Sequence, residues 1–189
     1  NAILITHEHV DHIRGVGVLS RRFDLPIYAN TRTWEAMYAK IGDVAQKNIC
    51  EHHDNSFYVG DFDIETFALP HDAADPCGYI VNCGNKRIGI ATDLGHVSQP
   101  VQSALVGCGL VLLESNHDLA MLEQSQYPRQ LKVRIGGQKG HLSNDSAAGL
   151  AVQLAKTGTR AIVLGHLSKE NNREPLAFDT VATRLKVQG

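Results

Sequence analysis

No stretch of this sequence stays apolar for the roughly 18–20 residues that a membrane-spanning helix needs, and none has the pattern of a signal peptide. Cysteine is sparse. Cys50, Cys77, Cys83 and Cys108 form no CxxC pair and keep no close, regular spacing, which argues against a disulfide framework and for reduced thiols in a cytoplasmic protein. Neither sign of charge is in large excess: the formal net charge is −2, so there is no global pull toward nucleic acid, and any such affinity has to come from a local patch. Repeats, low-complexity tracts and charge blocks are also missing, so no linker divides the chain, and 189 residues suffice for one domain with a sizeable core. The expected organisation is a single domain over residues 1–189. An initial Met is lacking too. Asn1 runs straight into the apolar Ala2-Ile3-Leu4-Ile5, which reads as a cut through a domain.

What is present is an ordinary soluble composition, 43% hydrophobic and 20% charged, with ten histidines placed beside carboxylates and glycines. Apolar runs of strand length alternate with segments of helical period, the pattern of a layered α/β domain. Expected strands are Ala2–Thr6, Pro26–Asn30, Asp61–Leu69, Gly78–Cys83, Arg87–Thr92, Leu110–Leu113 and Arg160–Leu164. Expected helices run over Ile13–Arg22, from a Thr31 cap to about Ile41, over Ser143–Thr157 and over about Glu174–Val187. On this map His7, Asp93, Glu114 and His166 each follow a separate strand, and residues at strand ends converge on one edge of a layered domain.

The segment Thr6-His7-Glu8-His9-Val10-Asp11-His12 puts three imidazoles and two carboxylates in a single turn. Imidazole and carboxylate form the ligand set of zinc, manganese or iron. His7 and His9 can face one metal, and Asp11 and His12 a second. His71 after Pro70 could complete the first site, His166 the second, and Asp93 could bridge both. A pair of divalent ions suits hydrolysis of esters, thioesters, amides or phosphodiesters, and the ligands alone do not choose among these.

An HxHxDH motif followed by a lone His, a lone Asp and a last strand-terminal His resembles the metallo-β-lactamase superfamily. That resemblance implies an αββα sandwich with both metals at one sheet edge. It also implies strands before HxHxDH that are absent here, so the N-terminal part of one sheet is expected to be missing. Within the superfamily, Pro70-His71-Asp72-Ala73-Ala74-Asp75-Pro76, Glu114-Ser115-Asn116-His117-Asp118, Gly140-His141-Leu142-Ser143-Asn144 and Gly165-His166-Leu167-Ser168-Lys169-Glu170-Asn171-Asn172 are similar to the bacterial YycJ/WalJ-type metallo-hydrolases. The similarity implies a cytoplasmic 5′-to-3′ exonuclease acting on DNA. By a further likeness to tRNA-processing endonucleases, His141 is the candidate general acid and Glu114 the residue that orients it, with Asp11 beside them in the catalytic set.

Other readings rest on the residues themselves. The helix expected from Ser143 would turn its free N–H groups toward a phosphate, and Arg129, Lys132, Arg134 and Lys139 make a local basic cluster just upstream. His141, Ser143, Asn144, Lys139 and Arg134 are therefore the substrate-binding candidates, with a DNA partner favoured over RNA. His117 and Asp118 either line the site or cap a helix. His52 and His53 read as a loop or sheet edge, and His96 as a residue behind the ligands. Three rivals to a DNA phosphodiesterase remain at this point: a small-molecule esterase or thioesterase, an RNA-processing nuclease, and a binding module without catalysis.

Overall fold

The apolar positions of this chain sort into two sheets and two helical layers. The structure, a computed structural model, describes residues 2–188. Strands β1 (Ile3–Leu4), β2 (Ile27–Asn30) and β3 (Ile49–His52) form a parallel sheet in that order. Parallel neighbours need crossover connections, supplied by α1 (Val10–Ile13) and α2 (Val16–Phe23) before β2, and by α3 (Thr31–Met37) before β3. The faces that these helices turn inward carry Ile13, Val16, Trp34 and Met37, which bury themselves against Ile5, Ile27 and Ala29 of the small sheet.

The larger sheet has the order β4 (Ser56–Val59), β5 (Phe62–Ala68), β6 (Cys77–Cys83), β7 (Lys86–Ala91), β8 (Leu110–Glu114) and β9 (Ala161–Gly165). It is antiparallel as far as β7 and parallel from β7 to β9. Helices α4 (Gln99–Leu105), α7 (Asn144–Lys156) and α8 (Glu174–Gln188) cover its outer face, where Leu105, Val111, Leu113, Leu150, Leu154 and Val181 share one core. Two short helices, α5 (Leu119–Gln124) and α6 (Arg129–Ile135), lie in the long connection from β8 to α7. Between the sheets Ile64, Cys77 and Tyr79 pack with Leu4, Phe57 and Ile90, and the Tyr79 hydroxyl donates across the gap to the Ile5 carbonyl at 2.6 Å. The layers run helix, sheet, sheet, helix, as the αββα expectation required.

Local differences from the sequence reading have local causes. The expected helix Ile13–Arg22 is two helices, broken at Arg14-Gly15, and its first part begins at Val10. Asn30 rather than Thr31 caps α3, its side-chain oxygen accepting from the Thr33 N–H at 2.9 Å. Strand β3 escaped notice because it is a half-buried edge strand with only Ile49 and Cys50 apolar. Helix α4 escaped because it is a single seven-residue segment, started by Ser98 with Pro100 in its first turn. Among the described residues all four cysteines are unpaired, and no helix is long and apolar enough to cross a membrane.

Candidate metal centre

The chain brings its donor residues to one end of the two sheets because five strands end there. His7 follows β1, His71 follows β5, Asp93 follows β7, Glu114 ends β8 and His166 follows β9. His9 stands at the start of α1, with Asp11 and His12 in its first turns. At two of these strand ends the backbone is left-handed without glycine: φ is 64° at Asp93 and 55° at His166. Such conformations cost about 1–3 kcal/mol each and persist only where the surroundings hold them.

The side chains form overlapping donor groups, among them His7, His12 and Asp93, and Asp93, Glu114, His141 and His166. His7, His9 and His71 offer one set of ligand atoms within 4.8 Å of one another, and Asp11, His12 and His166 offer another. Asp93 lies between them, with Oδ2 at 3.3 Å from His12 Nε2 and Oδ1 at 3.5 Å from His166 Nε2 and 3.9 Å from His71 Nε2. Burial depresses the His7 imidazole to a pKa of about 3, with the neighbouring His12, His9 and His71 adding to the effect against the pull of Asp93. Burial works against the charge of Asp93 too, but the His12 imidazole beside it and the other histidines around it hold it well below the usual carboxylate range.

The unmet valences of this cluster test whether it fits a metal. His7 Nε2 and Asp93 Oδ2 are buried without any hydrogen-bond partner. His71 donates from Nδ1 to the Gly140 carbonyl at 2.9 Å, so its Nε2 lone pair points at His9 Nδ1, 3.3 Å away. Buried polar atoms left without a partner, as His7 Nε2 and Asp93 Oδ2 are, are unfavourable unless a cation takes them up. The outward hydrogen bond of His71 to a carbonyl is also what orients a metal-ligating imidazole. The donor set therefore fits divalent metal ions.

Behind the donors stands Glu114, with no exposure to solvent. Its Oε1 accepts from His166 Nδ1 at 2.7 Å and from His141 Nδ1 at 2.8 Å, and its Oε2 accepts from the backbone N–H groups of Leu94 and Leu142. Burial disfavours a charged His166, but the bond to Glu114 and the charges of Asp93 and Asp11 outweigh it and raise its pKa to about 9. The carboxylate thus fixes one imidazole of the donor cluster and one imidazole outside it. His141 takes its place from the turn before α7, where Gly140 is pressed so closely on α6 that a Cβ would meet the carbonyls of Arg134 and Ile135 at 2.1 Å.

A cavity of about 380 Å³ opens on this cluster, with His9, Asp11, Asp93, His141 and His166 in its wall. Of the expected basic residues, Arg134 lines the cavity, its Nε donating to Asp72 at 2.6 Å. Among the described residues Arg129, Lys132 and Lys139 do not reach the wall, and Lys132 bonds to the Glu123 carbonyl instead. The substrate contacts expected of Ser143 and Asn144 are also not made available. Ser143 caps α7 by accepting from the Ser146 N–H, and Asn144 is fully buried, joined to Ser115 and Asn172. Asp118 caps α5 through the Met121 N–H, while His117 is buried away from the wall. His52 ends the edge strand β3 with its ring stacked on Phe57, and His96 bonds to the Gln138 carbonyl. Tyr127, Leu131 and Ile135 line the cavity without having been singled out from sequence. Their signal was the helical spacing of Leu131, Arg134 and Ile135, which looks the same on a core helix.

Known proteins carry the same framework. The model of the beta-lactamase superfamily domain matches residues 1–167. The exodeoxyribonuclease YycJ of Bacillus anthracis is 40% identical over 191 aligned residues, covering all of this chain and 72% of the relative. The exodeoxyribonuclease WalJ of Streptococcus pneumoniae serotype 2 is 42% identical over 189, covering 98% of this chain and 70% of the relative. The metallo-β-lactamase fold protein YhfI from Bacillus subtilis superposes with a TM-score of 0.71 at 18% identity over 99% of this chain and 70% of that one. Zinc-bound PqqB from Methylobacterium extorquens gives 0.69 at 17% identity, over 100% and 69%. With its αββα layers, its donors gathered at one end of the two sheets and a family model spanning most of its length, the chain belongs to the beta-lactamase superfamily and is a metal-dependent hydrolase of the metallo-β-lactamase fold.

Proposed function

We propose that this hydrolase is a dinuclear phosphodiesterase that degrades DNA from an end. The observation that carries the reading is the sharing of Glu114 Oε1 between His166, in the donor cluster, and His141, on the cavity wall. The relatives at 40–42% identity, both exodeoxyribonucleases, support the choice of substrate. His7, His9 and His71 would hold one ion, Asp11, His12 and His166 the other, and Asp93 would serve both. Zinc or manganese suits these ligands, and iron is accepted by the same set. Two divalent ions held there would lower the pKa of a water molecule and offset charge on the reacting phosphate.

The protein's own residues do the rest. Glu114 holds the His141 ring through Nδ1, which turns Nε2 toward the cavity. In the imidazolium form, Nε2 carries the proton that the leaving oxygen of the phosphodiester needs. Arg134, held by Asp72, presents positive charge to the phosphate from the same wall. Removal of an acid in this position costs about 10²–10⁴-fold in rate.

The test is cleavage of end-labelled, 5′-phosphorylated duplex DNA by the full-length protein with manganese or zinc. Stepwise shortening from the 5′ end is expected, with none by Asp93→Ala. His141→Ala is expected to keep its metal content and lose turnover by about 10²–10⁴-fold. A metal-loaded protein that leaves DNA intact overturns the reading. In that event turnover of RNA, or of a thioester, names the substrate class instead.

A further inference from the structure

Metal ions and a phosphate have no use for apolar surface, yet part of the cavity wall is apolar. Tyr127 lies just before α6, and Leu131 and Ile135 stand one turn apart on it, with Arg134 on the same face. All three apolar side chains are half-buried, whereas Val133, on another face of α6, is 66% exposed. The wall thus offers an aromatic ring and two aliphatic side chains beside the residue pair Arg134–Asp72 and the donor cluster. An amphiphile with an anionic group and a flat apolar group matches such a surface, the anion toward the cations and the flat group against the ring.

We infer that this wall is a nucleobase subsite, in which Tyr127 stacks on the base of the terminal nucleotide and Leu131 and Ile135 cover its edge. The inference rests on the nuclease reading and names what that reading leaves open, the form of DNA end the site takes. A volume of about 380 Å³ stands near the lower limit of ligand pockets, room for about one nucleotide, so a terminal nucleotide enters it by leaving the duplex. A base that stacks on Tyr127 must leave its neighbour in the strand, as bases do when an enzyme acts on an extruded or single-stranded nucleotide. Tyr127 is in this sense a specificity-determining residue. Frayed or single-stranded ends then bind better than paired ones, and any of the four bases is accepted because each has a π-face.

The test compares the first cleavage of a short 5′-phosphorylated single strand with that of the same strand carrying a tetrahydrofuran abasic residue at its terminal position, prepared separately for each end. The wild-type protein is expected to show a KM about 5- to 150-fold higher for the abasic end it attacks, the range that one base–aromatic stack supplies, with a smaller change in kcat. Tyr127→Ala is expected to lose that discrimination by treating both strands like the abasic one, and Tyr127→Phe to keep it. Equal KM values for the two strands in the wild-type protein overturn the subsite while the nuclease reading stands. That comparison needs no variant, so a misfolded Tyr127→Ala leaves it intact. Metal-loaded protein that cleaves neither strand removes the nuclease reading and the subsite together.

Discussion

Glu114 has no solvent to stabilise its charge. Burial raises its pKa, the hydrogen bonds from His141 and His166 lower it further than burial raises it, and the net result lies below the ordinary glutamate value. All four bonds it accepts come from N–H groups, so an amide in its place cannot satisfy them. In Glu114→Gln the NH₂ faces either two backbone donors or two imidazole donors. If it faces the imidazoles, Nδ1 must accept and the ring proton moves to Nε2, where it occupies the lone pair that His166 would offer a metal. We therefore expect Glu114→Gln to bind metal about 10–100-fold more weakly and to lose activity on that scale, as measured by metal content after dialysis and by turnover. Unchanged metal content would show that the carboxylate holds His166 without setting its tautomer. The candidate ligands His7, His9, Asp11, His12, His71, Asp93 and His166 were legible because residue type and position after a strand together marked them. Ser143 and Asn144, expected at the substrate, bond instead within the fold, and nothing in a polar residue's neighbours in sequence tells which partner it takes. Tyr127, Leu131 and Ile135 were silent, since an apolar residue facing a cavity has the same pattern as one facing the core.

The segment between β9 and α8 shows how an element is held in a strained shape. His166 opens it with φ at 55°, and its carbonyl accepts from Asn116 Nδ2 at 2.8 Å. Asn172 closes it, donating from Nδ2 to the carbonyls of Ser115 and Asn116 and to Asn144 Oδ1, and accepting from Asn144 Nδ2. This network joins the end of β8, the first turn of α7 and the loop that carries His166. Asn172→Ala leaves the Ser115 carbonyl, the Asn144 Nδ2 group and the Arg173 N–H without that partner, while the Asn116 carbonyl keeps the Ser168 N–H. The expected loss is about 2 kcal/mol, equivalent to about 4–8 °C in Tm for a chain of this size, and metal affinity is expected to weaken because His166 is no longer held at its angle. Thermal unfolding with and without metal checks both, and a Tm within 1 °C of wild type would show that water takes over the bonds. At this scale the sequence was informative for long periodic elements such as α7 and α8 and poor for short ones. β3 and α4 are fixed by their neighbours, β2 in one case and the sheet face in the other, and such tertiary support leaves little trace in four to seven residues.

Across the whole molecule the donor cluster is also a cross-link. His7, His9, Asp11 and His12 come from β1 and α1, at the small sheet, while His71, Asp93 and His166 come from the ends of β5, β7 and β9, in the large one. Without a cation the two halves meet there through buried imidazoles that repel when charged and leave His7 Nε2 and Asp93 Oδ2 unpartnered. The unfolded chain scatters these donors and binds ions weakly, so any ion held by the folded protein adds its binding free energy to stability. That contribution is about 2.7 kcal/mol at 100-fold excess of free metal over Kd and about 4.1 at 1,000-fold. At about 2–4 °C per kcal/mol for this size, chelation is expected to lower Tm by roughly 5–16 °C. Because the term depends on the logarithm of free metal, Tm should climb steadily as zinc or manganese is buffered upward, and the climb should vanish in Asp93→Ala. A Tm indifferent to chelator and to buffered metal would mean that the sheets are joined by protein contacts alone, among them the Ile64, Cys77 and Tyr79 core and the Tyr79–Ile5 hydrogen bond, and that the donors hold no ion.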